Sequence, residues 1–173
     1  MRRACSWTLA LLVVSSATGC TTVAKRGLRE LRGAHGKAVP VRDASADFYA
    51  SLSSINIGEV TNSILPVCPA EMHAMVEQAL RAGAEDASAD LEGSGQSCTV
   101  NLDLTFNKAP GGAMALVGKG ALLIGRADVR EAQAESQAEL LVVVSSQAVR
   151  TKEQEMADTF ARTLIGYLCE AGD

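Results

Sequence analysis

The amino-acid sequence predicts an α+β fold, a two-layer sandwich in which an antiparallel-rich β-sheet of about four strands carries two helices on one face. Two kinds of pattern predict it. Residues 98–107 alternate strictly between apolar and polar side chains, and the segments 72–83 and 152–169 place apolar residues at helical spacing. The predicted order of elements is β-α-β-β-β-α.

The first strand and first helix are predicted from the segment 55–83. Ile55, Ile57 and Val60 indicate a strand, and Gly58 shifts its phase as a β-bulge does. An amphipathic helix follows Pro69, with its apolar stripe at Met72, Met75, Val76, Ala79, Leu80 and Gly83. Residues 84–97, which are rich in Ala, Gly, Ser and acidic side chains, are predicted to form a loop.

The remaining elements are predicted from the segment 98–169. The alternating strand 98–107 has one buried and one polar face. After a turn at 110–112, a small apolar stretch at 113–125 leads into a strand that becomes polar toward residue 133. The continuous apolar run 140–144 is typical of an interior strand, covered on both faces or lying in a protected interface. The closing helix has its inner stripe at Met156, Phe160, Leu164, Tyr167 and Leu168.

The N-terminus has the anatomy of a secretory signal. Arg2 and Arg3 precede an apolar run at 7–14, which is too short to span a bilayer, and small residues follow it. Ala17-Thr18-Gly19-Cys20 resembles the lipobox of bacterial lipoproteins. The resemblance implies that Cys20 is lipidated and becomes the first residue of the mature protein. An ordinary secretory signal with a chance cysteine is the alternative.

These features predict three regions: a signal peptide at 1–19, the lipidated Cys20 with a flexible basic tether at 20–50, and a periplasmic α/β domain at 51–173. Between Thr21 and about Ala46 the tether contains Lys25, Arg26, Arg29, Arg32, Lys37 and Arg42 against only Glu30 and Asp43. Its cations would either contact anionic lipid headgroups or remain solvated.

Composition argues against nucleic acid as a partner. Residues 20–173 hold 14 basic and 20 acidic side chains, a net charge of −6, whereas a general nucleic-acid binder carries a basic face. Five aromatic residues remain after the signal, too few for a base-stacking platform.

The predicted domain contains three cysteines, Cys68, Cys98 and Cys169, in a compartment expected to be oxidising. The predicted path of the chain brings Cys98 and Cys169 to one pole and Cys68 to the other. We therefore predict a Cys98–Cys169 disulfide. Three buried thiols, or a bond that involves Cys68, are the alternatives. No ligand spacing among Cys and His residues indicates a metal site.

A glycine-rich segment offers a candidate partner loop at Gly112, Met114, Leu116, Val117 and Lys119. It fails as a phosphate-binding loop, because five residues separate Gly112 from Gly118 and Gly120 replaces the magnesium-binding Ser or Thr. Its apolar side chains either lie buried in a strand or form an exposed patch that contacts a partner or membrane.

The sequence does not predict an enzyme or a cofactor. The mature chain has two histidines, His35 in the tether and His73 on the polar face of the first helix, and neither belongs to a catalytic motif. We expect His73 to be a solvated residue close to Glu77, four positions along.

The element order resembles that of small periplasmic domains in bacterial envelope lipoproteins, including transporter-auxiliary and lipopolysaccharide-export assembly lipoproteins. The resemblance rests also on Val117-Gly118-Lys119-Gly120 and on a closing helix that contains Met156-Ala157-Asp158-Thr159-Phe160-Ala161. It implies a non-enzymatic accessory, assembly or transport-auxiliary factor that binds an envelope protein and is anchored to the membrane by lipid. Thr21 in place of Asp implies the outer membrane, facing the periplasm. The alternative function is a small-ligand or lipid carrier, with an apolar pocket between helices and sheet.

Overall fold

The described residues form one mixed five-stranded sheet and three helices, which confirms the α+β class. The structure, a computed structural model, describes residues 33–63, 67–91, 95–108, 120–131, 136–146 and 152–171. In chain order the elements are β1 (Ala34–Arg42), α1 (Ala46–Ala50), β2 (Leu52–Thr61), α2 (Ala70–Asp90), β3 (Gln96–Lys108), β4 (Ala121–Glu131), β5 (Ser136–Ser146) and α3 (Glu153–Glu170).

The sheet has the strand order β1-β5-β4-β3-β2. β2 and β3 are parallel and are joined by α2, whereas the pairs β3–β4, β4–β5 and β5–β1 are antiparallel. A register shift between Ile57 and Val60 places an irregularity at Gly58, as predicted. From β2 onward, the elements follow the predicted order.

The fifth strand, β1, lies in residues that we predicted to be flexible tether. It pairs with β5 and is covered by α3, which comes very close at Gly36, where a Cβ atom would lie 2.9 Å from the Cβ of Thr163. The side chains of β1 that face α3 are small, at Ala34, Gly36 and Ala38. Small residues give no apolar alternation, so the sequence pattern of this strand was weak.

The first predicted helix is longer than expected, because α2 continues to Asp90 through residues that were predicted to form a loop. Ala84 is buried in this extension, and the Ser88 hydroxyl donates to the carbonyl of Ala84 and accepts from the backbone N–H of Ile55. The extension therefore packs on β2. Its alanines and acidic residues are compatible with a helix.

The core lies between the helices and one face of the sheet. Alternate residues of β3, β4 and β5 point into it and are buried: Val100, Leu102, Leu104, Leu123, Ala127, Val129, Leu140, Val142 and Val144. From α3 they meet the buried side chains Met156, Phe160, Leu164 and Leu168. Both long helices thus share one face, as predicted.

Candidate functional site: the open face of the sheet

The other face of the sheet, which we call the open face, is not covered by any helix in the described part of the chain. Its half nearest β1 is apolar. Ile124 of β4 pairs with Val143 of β5, and Leu141 of β5 pairs with Val39 of β1. Leu122 completes this apolar half, in which Leu122, Ile124, Leu141 and Val143 are partly exposed and Val39 is 39% exposed.

The polar half of the open face is a groove built from ion pairs. Arg126 of β4 donates from Nε to Oε1 of Glu139 at 2.6 Å, and Arg130 donates to Asp128. Ser136 donates to Asp128 and accepts from Arg42. Since the cations and carboxylates satisfy one another, this half offers hydrogen-bonding groups rather than a strong field of one sign.

Asp128 is held ionised by these contacts. Partial burial alone would raise the pKa of this carboxyl, but hydrogen bonds from Ser136 and Arg130 outweigh burial and lower it. The bond from Arg126 to Glu139 likewise raises the pKa of Arg126 above its usual value. Asp128 and Arg126 therefore both stay charged over the physiological pH range.

The β2 edge of the sheet is closed by α2. Besides the bond from Ile55 to Ser88, Arg81 donates from Nη1 to the carbonyl of Ile57 at 3.1 Å, and Nε2 of His73 lies 3.0 Å from the carbonyl oxygen of Val60. His73 is thus partly buried and contacts β2 rather than being simply solvated as expected, while Glu77 pairs with Arg81. A further strand cannot bind where α2 side chains already occupy the backbone groups.

At the β1 edge, two backbone positions are unavailable for pairing for different reasons. The N–H of Ala34 donates to Oε1 of Glu155 at 3.0 Å, and Pro40 has no N–H to offer. In an antiparallel edge strand the backbone N–H groups of alternate residues point away from the sheet. Between Ala34 and Pro40, the outward N–H groups are therefore those of Gly36 and Ala38. At Ala34 and Pro40, therefore, the β1 edge offers no N–H to a further strand.

Several predicted site residues lie outside the described residues. These are Cys20 and the candidate partner loop Gly112, Met114, Leu116, Val117 and Lys119. Cys98 and Cys169 are described, and neither forms a disulfide bond in the structure. His35 is exposed on β1, far along the chain from His73 on α2.

The open face was not assigned from the sequence, although one signal pointed to it. The apolar run 140–144 is typical of a strand covered on both faces or lying in an interface. In this two-layer fold its even residues face the helices, and Leu141 and Val143 face outward. When helices cover only one side of a sheet, a strand that is apolar at every position indicates that the other side is an uncovered apolar face.

Two kinds of feature are absent from the described residues. No group of three or more His, Cys, Asp or Glu side chains there is arranged to hold a metal ion. Nor does any helix in the described ranges combine the length and hydropathy needed to cross a membrane.

Comparison with known proteins identified similar folds only at low similarity. No family model and no curated protein matches the chain. Among solved structures, the PelC dodecamer from Paraburkholderia phytofirmans is similar, with a TM-score of 0.41 and 10% identity over 75% of this chain and 94% of that one. A single-substitution variant of that PelC dodecamer gives a TM-score of 0.40 and 9% identity over 76% and 94%.

Proposed function

We propose that this chain is a lipid-anchored protein of the bacterial cell envelope that acts as a non-enzymatic accessory, assembly or transport-auxiliary factor. It binds a partner protein on the open face of its sheet. The observation that carries the proposal is the apolar half of that face, which remains partly exposed in the described structure although the opposite face is fully covered.

The open face combines the two components of a protein interface. Ile124, Leu141 and Val143 supply an apolar patch, and the paired charges around Arg126 and Asp128 border it on one side. Interfaces of stable complexes combine apolar contact area with hydrogen-bonding groups at its border. Exposed apolar patches on small domains commonly mark partner contacts.

Cys20 supplies the membrane anchor in this proposal. Only 13 residues, 21–33, separate it from the first residue of β1. Even when fully extended they span about 45 Å, so the domain works close to the bilayer surface. The outer membrane, with the domain facing the periplasm, is the location that Thr21 favours.

Site-specific photo-crosslinking in cells tests the partner surface. A photoreactive residue at position 141 should give an adduct of discrete mass, whereas the same residue at exposed Ala82 on α2, the matched control, should not. Ile124→Asp should abolish the adduct and leave the melting temperature within a few degrees. Equal adducts at both positions, or an adduct that survives Ile124→Asp, would contradict the proposal.

The anchor is tested separately. Cys20→Ala should release the protein from the membrane fraction, and mass spectrometry of the N-terminal peptide should find the acylated cysteine only in the unsubstituted chain. A membrane-bound Cys20→Ala protein would show that something other than the lipid holds it there.

The ligand-carrier alternative stays a prediction. It requires a pocket between the helices and the sheet, where Phe160 of α3 lies against Gly125 of β4. Mass spectrometry of organic extracts from the purified protein tests it, since a carrier retains a stoichiometric lipid or small molecule.

A further inference from the structure

The three cysteines of the described chain occupy very different surroundings. Cys98, near the start of β3, and Cys68, just before α2, are fully buried. Cys169 lies in the last turn of α3, partly exposed and packed against the core. All three are thiols in the structure.

Cys68 is too far from Cys98 to bond with it. Asn62, at the end of β2, exchanges hydrogen bonds with the backbone of Cys68, and the neighbouring Val67 bridges to Thr105. Thr105 and Cys98 are seven residues apart along the same strand, which corresponds to about 23 Å. A disulfide requires Cα atoms within about 7 Å of each other.

Cys98 and Cys169 lie at the same end of the sheet. At the end of α3, the hydroxyl of Tyr167 donates to the Asp43 carboxylate, which also accepts from Tyr49 on α1. α1 leads directly into Leu52, the first residue of β2, and Leu52 pairs with Gln96 of β3. Cys98 is two residues further along β3, so the last turn of α3 and the start of β3 meet at this pole.

The two thiols also influence each other electrostatically. Burial raises the pKa of Cys98 to about 11, and the neighbouring Cys169 contributes in the same direction. A buried thiol with a high pKa is a weak nucleophile. Since Cys169 is partly exposed and Cys98 is fully buried, an oxidant reaches Cys169 first.

We propose that Cys98 and Cys169 form a disulfide that fastens the end of α3 to the start of β3, and that Cys68 remains a buried free thiol. The oxidant is an exchangeable disulfide, protein-bound or small. The Cys169 thiolate attacks it, forms a mixed disulfide and releases one thiol. The Cys98 thiolate then displaces the second thiol, so that two cysteines lose two protons and two electrons and the oxidant is reduced to two thiols.

The bond would close a loop of about 70 residues, which is long enough for a large effect on the unfolded chain. It would also fix α3, which covers the edge strand β1, to the opposite half of the sheet. We expect the oxidised protein to melt roughly 5 to 10 °C above the reduced one.

The test uses the full chain, refolded with reduced and oxidised glutathione and mapped by mass spectrometry without reduction. We expect one peptide pair that joins Cys98 to Cys169, and Cys68 alkylated only after denaturation. Cys169→Ser should remove the difference in melting temperature between oxidising and reducing conditions, whereas Cys68→Ala, the matched control, should keep it. A bond that involves Cys68, or free Cys98 and Cys169 thiols after oxidative refolding, would overturn the proposal.

Discussion

Phe160 lies directly over Gly125, so closely that a Cβ atom at position 125 would overlap the Cζ of the phenylalanine ring and lie 2.8 Å from its Cε2. The ring is fully buried and also defines how near α3 comes to β4. Leu104 of β3 lies beside the same glycine, with its Cδ2 3.1 Å from where a Cβ atom at position 125 would be. Glycine is required here for close packing of helix on sheet.

Gly125→Ala should therefore destabilise the protein by about 1 to 3 kcal/mol, because neither the ring nor the strand can move without disturbing the core. Urea denaturation measures the change. Gly166→Ala is the matched control: nothing lies within 4 Å of its added Cβ, and alanine favours the helix by up to about 1 kcal/mol. Equal stability of both variants would mean that Phe160 repacks freely.

Asp43 links the two tyrosines of the chain. It accepts from Tyr49 at 2.8 Å and from Tyr167 at 3.2 Å, and the rings lie edge to face at 6.2 Å. Burial first, and the Asp43 carboxylate in addition, raise the pKa of both tyrosines. Asp43→Asn removes the charge, so tyrosinate absorbance should appear at lower pH than in the unsubstituted protein.

The tyrosine readout is unambiguous because the chain contains only these two tyrosines. Absorbance at about 295 nm during an alkaline titration follows both. Asp47→Asn, which removes an exposed carboxylate from α1, serves as the control and should leave the titration unchanged. We also expect Asp43→Asn to cost about 1 kcal/mol of stability through the weakened hydrogen bonds.

Alkaline pH should destabilise the fold through Cys68. Burial raises the pKa of its thiol from 9.0 to about 11. The folded state thus holds the proton more tightly than the unfolded chain. This stabilisation is complete below about pH 9 and is lost as the pH rises toward 11, at most about 3 kcal/mol.

Denaturation at pH 7 and pH 10 checks this prediction. Between pH 7 and pH 10 the Cys68→Ala variant should lose less stability than the unsubstituted protein. Both proteins are measured under reducing conditions. Identical losses would show that the Cys68 thiol does not contribute to the alkaline transition.

The position of β1 predicts where the folded domain begins. A chain that starts at Ser51, the boundary suggested by the sequence pattern, lacks β1 and exposes the edge of β5 with its apolar run 140–144. An unprotected apolar edge strand promotes association. Size-exclusion chromatography should find this chain aggregated and a chain that starts at Gly33 monomeric or in one defined assembly. A monodisperse, normally melting chain from Ser51 would contradict this.

The sequence was most informative where one periodicity dominated. The strict alternation around Val100 and Leu102 predicted β3, and the helical stripe through Met156 and Phe160 predicted α3. The direction of the strands followed from the order of elements. Pattern reasoning succeeded there because a single face of each element is buried.

Pattern reasoning failed where small or polar residues make the contacts. β1 packs on α3 through Gly36 and Ala38, and the extension of α2 packs through Ala84 and Ser88. Such residues are as common in linkers as in packed elements, so only the tertiary contacts distinguish them. The open face was missed for a related reason: β4 is apolar at both Leu122 and Leu123, and no alternation reveals which side is uncovered.

β1 also determines how the domain carries mechanical load. With the anchor proposed at Cys20, the chain from the membrane enters the fold at Ala34, at one edge of the sheet. A pull between the membrane and a bound partner would therefore act first on the ladder between β1 and β5 and on the contact of Gly36 with α3. The edge strand would bear the tension, and its detachment would be the first mechanical step in unfolding.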